Sequence, residues 1–329
     1  KIQLYQNQVF VTDNVEGIVP EFLTLLRGVI DSPDIPLNVS RSYLQADGAV
    51  KKISNYITRK VGDKLNSLFK KDRKAFEEKW NDIKVVIEYG MLSEDKFFEK
   101  AEKFALYPTT DGDYHTFEEL KELIKDHQTD KDDKLIILYA SDKEAQHSYI
   151  ERAKAKGYKI LLLDSPIIGH LIQKFEGSKE KISFSRVDGD TLENLIKKEE
   201  ATVSKLSDKE KETLKPIIEE VVKEGGYTVQ LEALDSNSLP FVLTQPEFMR
   251  RMKEMQQTGG GGMMGNMPDM YNLVVNTNHE LVGQILNTKT KNKKDRLIKQ
   301  ALDLAKLSQN LLKGEDLTQF IQRSVDLIK

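Results

Sequence analysis

The stretch from Gly28 to Gln45 reads Gly-Val-Ile-Asp-Ser-Pro-Asp-Ile-Pro-Leu-Asn-Val-Ser-Arg-Ser-Tyr-Leu-Gln. Because proline fixes the backbone φ angle, its two prolines predict a stiff loop, which runs directly into a helix. The loop carries Asn38, Arg41 and Gln45, which place hydrogen-bonding side chains around one permanent positive charge. The planar guanidinium of an arginine suits the recognition of phosphate, but most arginines in loops are simply solvated. Residue chemistry alone therefore leaves open whether this loop contacts a phosphate group.

The order of the residues in this loop is more specific than their chemistry. It closely resembles the catalytic loop in the middle domain of the ninety-kilodalton heat-shock chaperones, and most closely that of their bacterial members. Residues 9–13 resemble the strand that precedes this loop in the family, and residues 20–28 resemble its connecting helix. Residues 275–282, Val-Asn-Thr-Asn-His-Glu-Leu-Val, resemble the family's C-terminal-domain signature. The resemblance covers nearly the whole chain, with a departure at Ser42, where the family usually has an acidic residue.

The resemblance implies a role for the loop in ATP hydrolysis by the full-length protein. Arg41 would reach the γ-phosphate of ATP, which binds with Mg²⁺ to a separate N-terminal domain, and would stabilise charge on the transferring phosphoryl group. Gln45 and Asn38 would either contact the nucleotide or hold the loop by local hydrogen bonds. The chain begins at Lys1, without a Met, in a strand-like pattern. We therefore expect the nucleotide-binding domain and the first part of the middle domain to lie upstream, and this segment alone to be inactive towards ATP.

Length and hydrophobic patterning predict a mixed α/β and α+β architecture of two or three domains. Between residues 135 and 185, three short apolar runs alternate with helical patterns, which predicts αβα layers around a short parallel sheet. No glycine-rich phosphate motif follows the first of these strands, so we interpret this unit as structural. The charged residues 197–205 predict a boundary between a middle domain at 1–203 and a C-terminal domain at 204–329. The predicted parts are the catalytic loop with its helices (1–108), the αβα unit (109–203) and a small α+β domain that ends in a helical dimerisation bundle (204–329).

Composition and charge argue against several other classes of protein. Charged residues make up 31% of the chain with both signs mixed, to a net charge of −3, so we expect no nucleic-acid partner. No apolar run approaches the ~18 residues of a membrane span. The absence of cysteine excludes disulfides and thiol catalysis, and it fits a reducing, cytoplasmic compartment. The five scattered histidines lack the spacing of metal ligands, and we expect no metal site.

Methionines are concentrated in one short window, because seven of the eight lie between Met249 and Met270. An apolar stripe at helical spacing precedes a tract of four glycines, and further methionines follow that tract. A methionine stripe usually fills a core, but a glycine tract is rarely buried, which favours an exposed and adaptable surface. The resemblance implies that this surface faces the cleft of a dimer and contacts client protein, while Phe248 is left open to inward packing. The predicted client-contact residues are Phe248, Met249, Met252, Met255, Met263, Met264 and Met267.

The last two predicted helices, at residues 293–312 and from Asp316 onwards, carry wide apolar faces. The first face is wider than packing on one small sheet would use, so we expect two copies to form a four-helix bundle about a two-fold axis. Gly314 is predicted to end the first of these helices. The predicted interface residues are Leu304, Leu311, Leu317, Phe320, Ile321, Val325 and Ile328.

The resemblance, together with these features, implies a homodimeric, ATP-dependent molecular chaperone that acts on unfolded or partly folded client proteins, with other chaperones as further candidate partners. The alternative is an ATP-independent dimeric scaffold or holdase with the same fold. The upstream sequence discriminates between the two, since only the first requires a nucleotide-binding domain there. An autonomous enzyme built on the αβα unit is disfavoured by the missing phosphate loop.

Overall fold

The computed structural model describes residues 1–15, 17–34, 48–198, 202–258 and 269–328. The predicted site residues that lie outside the described residues are Asn38, Arg41, Gln45, Met263, Met264 and Met267. The chain divides into two compact units, and the predicted domain limits at 1–203 and 204–329 stay a prediction. The first unit consists of Lys1–Pro108, Gly112–Glu122 and Ser165–Ser178, and the second of Thr109–Asp111, Leu123–Asp164 and Lys179–Lys329.

The described residues contain both helices and short strands, which confirms the predicted mixed fold class. The α-helices are, in chain order, α1 (Gly48–Lys71), α2 (Arg73–Glu78), α3 (Trp80–Ser93), α4 (Asp95–Ala101), α5 (Phe117–Gln128), α6 (His147–Ala155), α7 (Ile168–Ser178), α8 (Leu192–Leu195), α9 (Asp208–Val222), α10 (Glu247–Thr258), α11 (Glu280–Asn287), α12 (Lys291–Ser308) and α13 (Gly314–Ile328). The strands are β1 (Ile2–Gln6), β2 (Val9–Thr12), β3 (Gly28–Asp31), β4 (Tyr107–Pro108), β5 (Tyr114–His115), β6 (Leu135–Ala140), β7 (Ile160–Leu162), β8 (Ile182–Arg186), β9 (Thr228–Glu232), β10 (Phe241–Thr244) and β11 (Asn272–Asn276).

A three-stranded sheet in the order β2-β1-β3 begins the first unit. β1 pairs antiparallel with β2 through a turn in which Asn7 and Gln8 have positive φ angles, and β1 pairs parallel with β3. The expectation that residues 28–45 form a loop throughout is wrong at its start, because the first four residues pair with β1. The connecting helix expected over residues 20–28 is reduced to the 3-10 helix Glu21–Leu23. Residues 25–27 are exposed, so no core contact extends that turn.

Aromatic side chains fill the core of the first unit. Trp80, which the sequence predicts to pack on a helix face, is 2% exposed and lies 6.3 Å from the ring of Phe76. Gly90 of α3 allows the rings of Phe22 and Phe97 to approach, because a Cβ at that position would lie 2.8 Å from both.

The sequence Thr116-x-x-Glu119 predicts a capping box at the start of α5, and it is confirmed by hydrogen bonds of 2.9 and 3.4 Å that the two residues exchange between backbone N–H and side chain. The carboxylate of Glu119 also accepts two hydrogen bonds from the guanidinium of Arg73, at 2.5 and 2.8 Å.

Two three-stranded sheets form the framework of the second unit. The predicted parallel sheet is confirmed in the order β7-β6-β8, and all six residues of its middle strand are buried. The other sheet has the order β10-β11-β9, with β11 antiparallel to β10 and parallel to β9. Helices α9 and α12 contribute their apolar faces to the core around this second sheet.

Helix ends in the second unit follow local sequence signals, with one correction. The sequence Ser207-x-x-Glu210 predicts a capping box, and the two residues form it at the start of α9. The helix predicted to end at Leu312 ends instead at Ser308, because Asn310 adopts a left-handed conformation (φ 55°) and Leu311 N donates to Lys306 O at 2.9 Å. Gly314 therefore begins α13 and does not terminate α12.

Candidate functional site

Helix α10 carries the first part of the predicted methionine stripe. Phe248 is 71% exposed, whereas Met249, Met252 and Met255 are half-buried. Phe248 does not pack inward, and none of the three methionines is fully buried in a core. The apolar side chains of α10 are therefore accessible at the surface of the second unit.

The opposite face of α10 is ionic and faces the rest of the unit. Glu247, Arg250, Arg251 and Glu254 recur at the spacing of one helical face. The side chain of Arg250 is only 4% exposed and that of Arg251 is 16% exposed. A surface helix ordinarily turns its apolar face inward. The most buried of these charged side chains is thus that of Arg250, while Phe248 is exposed and the three methionines are half-buried.

The guanidinium group of Arg250 contacts three partners. Its Nη1 donates to both carboxylate oxygens of Glu254, at 2.7 and 2.8 Å. Its Nη2 lies 2.7 Å from Glu247 Oε1 and donates to the hydroxyl oxygen of Tyr139, also at 2.7 Å. Tyr139 belongs to β6, so these contacts join α10 to the middle strand of the parallel sheet.

The carboxylate of Glu247 has several partners around this ionic face. Its Oε1 accepts from the Tyr139 hydroxyl at 3.1 Å and from Arg251 Nε at 2.8 Å. Burial raises the pKa of Glu247, but the charges and hydrogen bonds of Arg250 and Arg251 outweigh burial and hold that pKa below its ordinary value. Burial and the nearby Glu247 raise the pKa of Tyr139 to about 12, so its hydroxyl is protonated at neutral pH and can donate.

A second arginine, the last residue of β8, extends this ionic cluster. Arg186 donates to both oxygens of Asp188, at 2.6 and 2.9 Å, and to Gln245 Oε1 at 2.9 Å. Its Nη1 also lies 3.4 Å from Glu254 Oε1. Arg251 Nη2 donates a hydrogen bond to the carbonyl oxygen of Phe184, which also lies in β8. Two strands of one sheet therefore hold the ionic face of α10.

The turn between β6 and α6 is the place where an αβα unit would bind a phosphate group. Here the backbone N–H groups of Ser141 and Asp142 both donate to Gln146 Oε1, at 2.8 and 3.0 Å. The N–H groups of Glu144 and Ala145 donate to Asp142 Oδ1, each at 2.9 Å. These donors already have partners inside the chain, which supports the interpretation of this unit as structural.

The two last helices expose part of the predicted dimer surface. Leu304 is 41% exposed, Ile321 52%, Val325 47% and Ile328 86%. Leu311 and Leu317 are half-buried, and Phe320 is buried within the chain itself. The buried residues of α12 include Ile298, Ala301, Leu302 and Ala305.

Within the described residues, no group of three or more histidine, cysteine, aspartate or glutamate side chains could hold a metal ion. No helix in the described ranges is both long and apolar enough to cross a membrane.

A sequence model of the family described as Hsp90 protein matches residues 1–328. This chain belongs to the Hsp90 family. The relationship inferred from residues 9–45 and 275–282 is thereby confirmed. A protein named Chaperone protein HtpG from Bacteroides thetaiotaomicron is 45% identical over 396 aligned positions, which cover the whole of this chain and 58% of that relative. Its namesake in Porphyromonas gingivalis is 51% identical over 291 positions, covering 87% of this chain and 42% of the relative.

This Hsp90-family chain spans little more than half the length of the relatives it matches most fully. A more distant protein of the same name, from Bdellovibrio bacteriovorus, is 31% identical over 231 positions, which cover 68% of the chain and 35% of that relative.

The functional feature that sequence reasoning missed in this Hsp90-family chain is the ionic face of α10. The sequence shows charged residues at positions 247, 250, 251 and 254, which is the spacing of one helical face. Charged residues on one face of a helix usually face solvent, so this pattern alone does not indicate a buried ionic face. Their partners Tyr139, Phe184 and Arg186 come from strands far away in the sequence, and local pattern does not identify such partners.

Proposed function

We propose that this chain is the client-contacting and dimerising part of an ATP-dependent molecular chaperone that assists protein folding under stress. Membership of the Hsp90 family and the name of its relatives support a chaperone. The observation that carries the proposal is the attachment of α10 through its ionic face, which leaves Phe248 exposed and Met249, Met252 and Met255 only half-buried. Flexible thioether side chains adapt to varied apolar partners, as the binding of many different unfolded proteins requires. Met263, Met264 and Met267 would extend this surface.

ATP and Mg²⁺ would bind to a domain upstream of this chain, in the part that the longer relatives possess. The occupied amide donors of the β6–α6 turn support this location. Arg41, which follows β3 and precedes α1 in the sequence, would reach the γ-phosphate and would stabilise the charge that develops on the transferring group. Asn38 and Gln45 would assist it by contact or by holding the loop.

The remaining assignments follow from the same proposal. A middle domain would occupy residues 1–203 and a C-terminal dimerisation domain residues 204–329. The chain would act in the cytoplasm as a homodimer on unfolded or partly folded client proteins, and other chaperones would be further partners.

Replacing Arg41 tests the proposed ATP dependence in the full-length protein. Arg41→Ala should lower ATP turnover by at least about tenfold and leave ATP affinity nearly unchanged, since an arginine supplied by another domain acts mainly on the transition state. Steady-state turnover and calorimetric ATP titration measure the two quantities. Arg59→Ala, at an exposed position of α1, is the matched control and should retain wild-type turnover. A large loss of affinity with little loss of turnover would contradict the proposed role.

The isolated 329-residue chain provides a second test. Calorimetry should detect no ATP binding at micromolar affinity, because the nucleotide site is proposed to lie upstream. If the full-length protein protects unfolded clients equally well with and without ATP, and Arg41→Ala changes nothing, the ATP-independent holdase is the better description.

A further inference from the structure

The ionic face of α10 is an unusual way to attach a surface helix. Removing the charges of Arg250 and Glu247 from water is unfavourable, and it is offset only by close pairing with good geometry. An apolar inner face would avoid this penalty, and α10 has the apolar residues to make one. Its methionines instead remain half-buried, beside a Phe248 that is 71% exposed.

The contacts of the ionic face are directional, so they constrain the orientation of α10. Arginine forks pair with carboxylates in a fixed plane, so they set the rotation of the helix about its axis as well as its distance from the sheet. Flexible apolar side chains fix that rotation less strictly, because many arrangements of methionine fill a gap. With the ionic face paired, α10 cannot rotate its methionines into the unit without separating buried charges from their partners.

A closed ring of hydrogen bonds lies at the centre of this attachment. The Tyr139 hydroxyl accepts from Arg250 Nη2 at 2.7 Å and donates to Glu247 Oε1 at 3.1 Å, and Arg250 Nη2 lies 2.7 Å from the same oxygen. Tyr139 is 2% exposed and belongs to a wholly buried strand, so the sheet fixes its position. Gly189 leaves room for the carboxylate, since a Cβ there would lie 3.0 Å from Glu247 Oε2.

We propose that Tyr139, Glu247 and Arg250 are positioning residues that hold the methionine face of α10 outward and thereby set the affinity for unfolded protein. The inference rests on the proposed client contact of α10. It predicts that loss of one buried hydroxyl, on a different element from the methionines, weakens client binding.

The experiment compares two substitutions that each remove one buried tyrosine hydroxyl from the intact 329-residue chain. Tyr139→Phe opens the ring beneath α10. Tyr149→Phe is the matched control, because its hydroxyl donates to Leu243 O at 2.7 Å and accepts from Gln309, away from α10. Hydrogen exchange followed by mass spectrometry should show at least about tenfold faster exchange across Glu247–Thr258 in Tyr139→Phe only.

Client binding is measured by fluorescence anisotropy with reduced, carboxymethylated α-lactalbumin as the unfolded probe. Tyr139→Phe should weaken binding several-fold, and Tyr149→Phe should bind as the wild type does, even where both variants lose similar thermal stability. Unchanged exchange in α10, or faster exchange with unchanged binding, would overturn the proposal. If Tyr139→Phe does not fold, Glu254→Gln at the more exposed end of the cluster replaces it, with the same outcomes expected.

A triple variant, Met249→Gln/Met252→Gln/Met255→Gln, separates this proposal from the proposed function. If that variant binds the probe as tightly as the wild type does, client contact by α10 fails. The exchange difference between Tyr139→Phe and Tyr149→Phe still reports whether the ring holds the helix.

Discussion

At the scale of single residues, His279 links the stability of the second unit to pH. It is the N-cap of α11, and its Nδ1 accepts a hydrogen bond from Leu281 N at 3.0 Å, which a protonated imidazole cannot do. Burial lowers the pKa of His279 below 6.5, and Glu280 opposes this shift only in part. The pKa of His279 is lower in the folded state than in the unfolded state. The stabilisation by the neutral N-cap is therefore complete above the unfolded-state pKa, and it is lost as the pH falls through the folded-state pKa.

His279→Asn replaces the imidazole nitrogen acceptor at the N-cap with an amide oxygen and removes the titrating group. We expect this variant to show a weaker decrease in the free energy of unfolding between about pH 7 and pH 5 than the wild type does. Urea denaturation at a series of pH values measures both slopes. Asn at this position should retain most of the stability at pH 7, since both residues cap the helix. Equal slopes for the two proteins would show that this cap does not carry the pH dependence.

At the scale of elements, the methionine face of α10 is expected to act in binding and not in folding. The triple variant Met249→Gln/Met252→Gln/Met255→Gln should keep its melting temperature within a few degrees and lose binding to unfolded protein. Fully buried methionines would each contribute about 1.5–3 kcal/mol, so a core role would instead unfold the unit. Glutamine suits the test because its helix propensity is close to that of methionine. Thermal melting and suppression of client aggregation, measured together, decide between the two roles.

Elements were predictable where a local signal and the tertiary structure agree. The apolar runs at β6, β7 and β8 and the capping boxes at Thr116 and Ser207 all form as the sequence predicts. β3 was missed because four residues beside a proline-rich stretch carry little strand signal, and its pairing with β1 depends on contacts distant in sequence. The end of α12 at Ser308 depends on the left-handed Asn310, which competes with an apolar pattern that continues to Leu312. The methionine stripe is visible in the sequence, but the attachment of α10 through its charged residues depends on Tyr139 and Arg186 from other elements.

At the scale of the whole molecule, the exposed apolar residues of α12 and α13 are expected to join two copies. A stable interface buries more than ~1,000 Å² in total, and Leu304, Ile321 and Val325 would lie within it. Deleting α13 is a poor test, because it would also remove the buried Phe320 and the ion pair between Arg323 and Asp303. Ile321→Glu/Val325→Glu instead adds two charges to positions that are exposed in one chain, and this should convert a dimer to folded monomers at micromolar concentration. Leu123→Glu, at a similarly exposed leucine of α5, is the control and should remain dimeric. Sedimentation velocity distinguishes the two states, and a monomeric wild type would rule out this interface.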